Sequence, residues 1–239
     1  MFASDKKSRS LQLIDVTNVP KTCSDLLAPP YPINYSFGGG GLLEDTPVIC
    51  GGHSYNKECY SYDMASNTWQ LHGNLVTGRR SFGAAVFKGA LWVTGGQTND
   101  RVALYSTEII APDGIVTSGP NLPKPRNGHC MVVINDDEFM ILGSKLRPDQ
   151  YKSTLIYNAN SGNFRKGPSM IHDRRLAACS MFQSKLHNDR NVVLCAGGNS
   201  DRGTAELLDF SQENAHWTEG TYFKVFLRVS GVPILPSGS

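Results

Sequence analysis

The sequence predicts an all-β protein built from one repeated sheet unit, and three observations predict it. Short β-rich runs end at glycine: PVIC at Gly51-Gly52, ALWVT at Gly95-Gly96 and NVVLCA at Gly197-Gly198, with Leu142-Gly143 closing the run EFMILGS in place of a pair. A large apolar residue follows each: Trp69 lies 17 residues after Gly52, Ile115 19 after Gly96, Phe164 21 after Gly143 and Trp217 19 after Gly198. Eleven residues further on stands an arginine in three copies, Trp69 to Arg80, Ile115 to Arg126 and Phe164 to Arg175. These arginines are 46 and 49 residues apart, a period that fits a unit of four short antiparallel strands.

Each strand of the unit has its own signal. The first is small and apolar and follows the arginine, as in SFGAAVF, NGHCMVV and LAACSMF. The second, such as Ala90 to Thr94, ends at the diglycine. A residue without a Cβ there permits close backbone approach near a crowded axis. A polar loop leads to the third strand, which carries Tyr62-Asp63, Tyr157-Asn158 or Leu208-Asp209. A turn rich in Asn and Ser (65–67 and 160–162) leads to the fourth, whose aromatic ring is large enough to fill the space between neighbouring sheets. The last copy departs from the pattern: Arg228 follows Trp217 at the same offset with no matching strand after it.

The diglycines, the Tyr-Asp pairs, the aromatics at Trp69, Phe164 and Trp217 and the arginines at 80, 126 and 175 resemble the kelch repeat of β-propellers, over roughly residues 41–220. The third copy lacks one glycine and the second lacks the aromatic; a Trp-Asp repeat has no support, since that dipeptide is absent. The resemblance implies a kelch-type propeller of four-stranded antiparallel blades, with blades at 31–78, 79–125, 126–174 and 175–220. Residues 1–30 (LQLIDV and TCSDLL) would supply the third and fourth strands of a partial blade, and 221–239 would be C-terminal strands or tail. The two ends together would complete a blade and close a five-bladed ring without exposed edges. The rival arrangement is a fragment of a six-bladed ring.

Composition excludes several classes. Of 239 residues, 40% are hydrophobic and 18% charged, which is globular, and a net charge of +2 gives no strong pull toward nucleic acid or anionic membrane. No apolar run approaches the ~18 residues of a membrane span. The start, MFASDKKSRS, has no apolar signal-peptide core. HExxH, GxSxG, P-loop and GxGxxG motifs are missing, and Gly38 to Gly41 fails the last of these at Leu43. The six histidines show no ligand spacing, so no metal or cofactor is expected. That speaks against a copper radical oxidase, an enzyme class with kelch-type repeats. Ser61 to Trp69 is close to a sialidase Asp box, but Ala65 replaces its glycine and Trp69 comes one residue late, so it reads as the kelch turn.

The six cysteines include no CxxC. Cys50 ends a second strand and Cys59 begins the third, so adjacent strands bring them within disulfide range. Cys179 and Cys195, on the first and second strands of one blade, are a second candidate pair. Cys130, read as sharing the repeat slot of Cys179, favours buried thiols there instead. Cys23 has no obvious partner, and Asn34-Tyr35-Ser36 is a lone sequon. The arrangement CGGHSYNKEC resembles secreted invertebrate kelch-type proteins and implies an oxidising, extracellular setting; the missing signal segment points the other way.

The resemblance implies a non-catalytic protein–protein interaction module that binds through its inter-strand loops and channel mouth. In kelch-type substrate adaptors this arginine position often lines the mouth. Arg80, Arg126 and Arg175 would there form an incomplete guanidinium ring suited to an acidic peptide or carboxylate. The competing reading is structural ion pairing. A further alternative is the substrate-recognition part of a cullin ubiquitin-ligase adaptor, whose BTB and BACK segments this chain does not contain.

Overall fold

The computed structural model describes residues 2–4, 11–13, 38–52, 57–66, 68–184, 188, 190–198, 204–212 and 214–220. Strands β1 (Phe2–Ser4) and β2 (Leu11–Leu13) form an antiparallel pair. Four antiparallel sheets of four strands follow, each an up-and-down meander in chain order. Blade 1 comprises β3 (Gly39–Leu43), β4 (Thr46–Cys50), β5 (Glu58–Asp63) and β6 (Thr68–Asn74). Blade 2 comprises β7 (Gly83–Phe87), β8 (Ala90–Thr94), β9 (Thr107–Ile110) and β10 (Val116–Gly119). Blade 3 comprises β11 (Cys130–Asn135), β12 (Glu138–Leu142), β13 (Thr154–Asn158) and β14 (Asn163–Lys166). Blade 4 comprises β15 (Ala178–Ser184), β16 (Arg190–Ala196), β17 (Ala205–Asp209) and β18 (Trp217–Gly220). The first strands β3, β7, β11 and β15 lie side by side in succession, which puts them at the hub.

Local chemistry sets the turns. Asp63, Asn158 and Asp209 each end a third strand and accept from a backbone N–H two or three residues on, at 2.9 Å in all three cases. Those bonds fold the chain back into the fourth strand. The two-residue turns Glu44-Asp45 and Lys88-Gly89 have positive φ throughout, the hairpin geometry that matches strand twist. The glycines that close the second strands are left-handed, and a Cβ on Gly51, Gly95 or Gly143 would lie 2.7, 2.5 or 2.0 Å from the carbonyl oxygen of Arg79, Arg126 or Arg174. Each of these carbonyls belongs to the next blade, so glycine is what lets the blades close up.

The core lies between blades, in three clusters. Leu43, Val48, Leu91 and Ile110 fill the first seam, Phe87, Trp92, Phe139 and Tyr157 the second, and Val132, Met140, Val193 and Trp217 the third. Alternation along each strand sends one set of side chains to either neighbour. Trp217 is 4% exposed and its Nε1 donates to the Pro168 carbonyl at 3.0 Å.

One register assignment needs correction. Trp69, Phe164 and Trp217 sit opposite Tyr62, Tyr157 and Leu208, and the residue in that place in blade 2 is Val116, opposite Ile110. Ile115, expected there, is 61% exposed. At the N-terminus Leu11–Leu13 pair with Phe2–Ser4, and the expected strand in TCSDLL lies outside the described residues, as do Cys23, the sequon at Asn34, His53, His187, Arg228 and 221–239.

Candidate functional site

The meander puts the 2–3 loops and the blade-to-blade connections on one side of the sheets, and the short 1–2 and 3–4 turns on the other. The diglycines belong to the loop side. Three arginines lock them. Arg79 Nη1 donates to the Gly95 carbonyl (2.9 Å), Arg126 Nη1 to Gly143 (2.8 Å) and Arg174 Nη1 to Gly197 (2.8 Å). The arginine backbone serves the preceding blade: the carbonyls of Arg79 and Arg126 accept from Gly52 (3.1 Å) and Gly96 (2.8 Å). Each arginine thus clasps its own blade with its side chain and the previous blade with its main chain.

The equivalent positions are therefore Arg79, Arg126 and Arg174, all buried. This revises the expected ring of Arg80, Arg126 and Arg175. Counting from Val116 gives ten residues to Arg126, as from Trp69 to Arg79 and from Phe164 to Arg174. Arg126 stands eleven residues after Ile115 but ten after Val116, the residue that faces Ile110, so it belongs with Arg79 and Arg174. The next residues along the chain are Arg80 and Arg175, both half-buried, and Asn127, which is buried. Adjacent residues on an extended segment point opposite ways, so at 79–80 and 174–175 the first arginine turns into the blade and the second away from it. Tandem arginines at 79–80 and 174–175 were the signal for this.

Arg80 and Asn127 flank the hub on the loop side. Arg80 exchanges backbone bonds with Gln97 (3.1 and 3.0 Å), and Lys145 N–H donates to the Asn127 carbonyl (2.6 Å). With its amide oxygen turned toward Arg80, Gln97 accepts from Nη2 (3.0 Å) and Nε (3.2 Å), while its nitrogen faces Asn127. The Arg175 guanidinium lies 4.5 Å over the Tyr151 ring.

Charge separates the two sides. Among the described residues, the loop side carries exposed Lys57, Arg101, Lys145, Arg147 and Lys152, with half-buried Arg80 and Arg175, against Asp100, Asp149 and Asp173. The turns on the other side carry Glu44, Asp45, Asp113, Asp136 and Asp137 against Lys88, which is already paired with Asp137 at 2.6 Å. A net charge of +2 conceals this polarity.

The buried groups fall into two kinds. Arg79 and Arg174 are ion-paired with Glu108 and Glu206, carboxylates that sequence reading missed because they lie on third strands 29 and 32 residues away. Burial pulls Arg79 below its ordinary range, opposed by Glu108. Arg126 has no carboxylate in contact, its Nε has no partner among the described residues, and burial lowers it to about 10. Beside it, His129 Nε2 meets Gly83 N–H (3.1 Å) and the Thr94 hydroxyl (3.0 Å). Burial, then the Arg126 charge, hold His129 neutral down to about pH 3.

Cys50 is bonded to Cys59, its direct register partner. Cys179 is bonded to Cys130, with Cα atoms 6.1 Å apart, and Cys195 is a buried free thiol, which replaces the expected Cys179–Cys195 pair. The reason is again one residue of register. Cys130 opposes Leu142 whereas Ala178 opposes Ala196, so Cys179 is one place further along its strand than Cys130. A one-residue offset puts the two side chains on opposite faces of their blades, and those faces meet at the seam. Among the described residues no three His, Cys, Asp or Glu side chains come together in a way that could hold a metal, and no helix is long and apolar enough to cross a membrane.

Meandering four-stranded blades, hub diglycines and packed seams define a kelch-type β-propeller. Several of the proteins that the chain resembles are named as kelch or kelch-repeat proteins. The F-box/kelch-repeat protein SKIP30 of Arabidopsis thaliana is 25% identical over 139 residues, 56% of this chain and 39% of that protein. Kelch-like protein 33 of Homo sapiens is 24% identical over 139 residues, 55% of this chain and 26% of that one. Beta-scruin of Limulus polyphemus is 25% identical over 163 residues, 60% and 17% of the two chains. The chain thus matches well under half the length of each of these relatives. No protein-family profile matches it. Among solved structures, that of YjhT superposes with a TM-score of 0.64 at 16% identity, covering 80% of this chain and 66% of that one, which speaks for the fold alone.

Proposed function

We propose that the chain is a non-catalytic protein-binding module that takes an acidic segment of its partner on the loop side of the blades. The observation that carries the reading is the charge polarity: basic side chains collect on the side with the long loops, and acidic ones on the side with tight turns. Such a field steers an acidic partner to one side and fixes its orientation. Arg80 and Arg175, flanking the hub, supply guanidinium forks for carboxylates. Arg126, engaged with Gly143 and Ser153, takes a structural role instead.

Affinity capture with the intact chain, compared with Arg80→Glu/Arg175→Glu/Lys145→Glu and with a turn-side reversal Asp45→Lys/Asp136→Lys, tests this. Loss of captured partners in the first variant only, with unchanged circular dichroism, supports the reading. Retention in the first variant sinks it.

A second reading, the substrate-recognition part of a larger ubiquitin-ligase adaptor, draws on relatives whose names pair F-box with kelch and which extend well beyond the matched region. Co-purification of a cullin with the endogenous polypeptide would select it.

A further inference from the structure

Three cysteines converge where blades 3 and 4 meet. Cys130 begins β11, Cys179 lies on β15, and Cys195 lies on β16 directly opposite Cys179 in the strand register. Cys179 is engaged across the seam by Cys130, and Cys195 is left as a thiol with no exposed surface. A register pair of this kind carries a bond elsewhere in the same chain: Cys50 and Cys59 face each other in β4 and β5 and are joined. Cys179 therefore has two partners within reach, one in the neighbouring blade and one in its own.

We propose that Cys130, Cys179 and Cys195 form a thiol–disulfide switch, in which the bond of Cys179 moves between Cys130 across the seam and Cys195 within blade 4. In the forward step the Cys195 thiol gives up its proton and its sulfur attacks Sγ of Cys179. The Cys179–Cys195 bond forms as the Cys130–Cys179 bond breaks, and Cys130 leaves as a thiolate that takes up a proton. Cys195 is oxidised and Cys130 reduced, so the exchange needs no external oxidant or reductant. The ring of 49 residues closed across the seam is replaced by one closed within a single sheet. The seam then loses its covalent link and keeps its side-chain packing and backbone bonds such as Leu176 N–H to the Gly128 carbonyl (2.8 Å).

The cross-seam bond persists while the seam is closed, because Cys195, though directly opposite Cys179, is a poor nucleophile when buried. Burial pushes its thiol up to about 12, with the Arg174 guanidinium opposing and the Glu206 carboxylate adding to that effect. Local loosening of the seam, admitting water to Cys195, is what starts the exchange. Asn127 lies three residues before Cys130 and Arg175 four before Cys179, so both ends of the cross-seam bond are close in sequence to the loop side.

The test uses the full chain carrying Cys23→Ser, which leaves Cys195 as its single thiol. The protein is held at a series of temperatures below its melting midpoint, quenched in acid, alkylated and digested without reduction, and the linked peptides are identified by mass spectrometry. At low temperature Cys130–Cys179 and Cys50–Cys59 are expected, with Cys195 alkylated only after unfolding. On warming, Cys179–Cys195 is expected to appear with Cys130 newly alkylated and Cys50–Cys59 unchanged, and Cys195→Ser should abolish the change. A second variant, Cys130→Ser, should form Cys179–Cys195 on treatment with diamide while keeping its circular dichroism. The proposal is overturned if Cys130–Cys179 is absent at the start, if it stays the sole linkage of Cys179 where Cys195 has become alkylatable, or if folded Cys130→Ser forms no bond to Cys195.

Discussion

Arg79 and Arg174 each meet a buried carboxylate, whereas Arg126, in the same place in blade 3, has Leu155 where Glu108 and Glu206 stand in the other two blades. The backbone explains the exchange. Glu108 accepts from the N–H groups of Val76 (2.6 Å) and Thr77 (3.1 Å), and Glu206 from Ile171 (2.7 Å). The residue of blade 3 that corresponds to Val76 and Ile171 is Pro123, which has no N–H to satisfy. Where the carboxylate has two duties it is present; where one duty disappears, an apolar side chain fills the slot. What the three clasps share is the bond from guanidinium to glycine carbonyl, and that bond defines the repeat.

The largest expected effect lies beside the unpaired clasp. His129 is neutral in the folded chain down to about pH 3, and in the unfolded chain it titrates near 6.5. Between those values the unfolded chain binds one proton more. The stability contributed is complete above pH 6.5 and is lost as the pH falls through this window, on the order of 4–5 kcal/mol in total. Blade 2 has Phe82 at the corresponding place. His129→Phe should therefore flatten the acid limb of a stability-versus-pH curve from urea titrations. An unchanged limb would mean that His129 is already protonated in the folded state.

Next comes the paired clasp. Glu206→Leu strands the Arg174 charge and the Ile171 N–H together, and should cost about 3–5 kcal/mol in urea unfolding at pH 7. Arg126→Met should cost less, about 1–3 kcal/mol. It removes the bonds to Gly143 and Ser153 but leaves no buried carboxylate behind. Equal losses in the two variants would dissolve the distinction between the clasps.

Most of the strand plan could be read before any coordinates, because its signals are local: a diglycine ends a strand for steric reasons, and an Asp or Asn before a polar turn folds the chain back. The site was less legible. Whether Ile115 or Val116 faces the core depends on which residue pairs with Ile110, and pairing is not written in one strand. That single residue decided whether Arg126 counted as a rim residue or a clasp. The Cys130–Cys179 bond was hidden in the same way, since a slot shifted by one reverses the face. The carboxylate partners lie on strands whose apolar pattern gives no hint of what a glutamate there would meet. The charge polarity needed the topology, because residues of either side alternate along the chain.

The smallest expected change is the most telling. Leu155→Glu would give Arg126 the carboxylate that its counterparts have. The desolvation of a new buried charge and the attraction to the guanidinium nearly cancel, as they do when an ion pair replaces apolar side chains. The new carboxylate would also find no N–H at Pro123, and Leu155 would no longer pack in the seam of blades 2 and 3. Stability at pH 7 should stay within about 1–2 kcal/mol of the parent. In the Arg126→Met background the same Leu155→Glu change should cost at least ~3 kcal/mol, because the carboxylate would then be buried alone. A double-mutant cycle by urea unfolding measures the difference as a coupling energy. A coupling near zero would show that position 155 does not face the guanidinium, and the equivalence of the three clasps would fail with it.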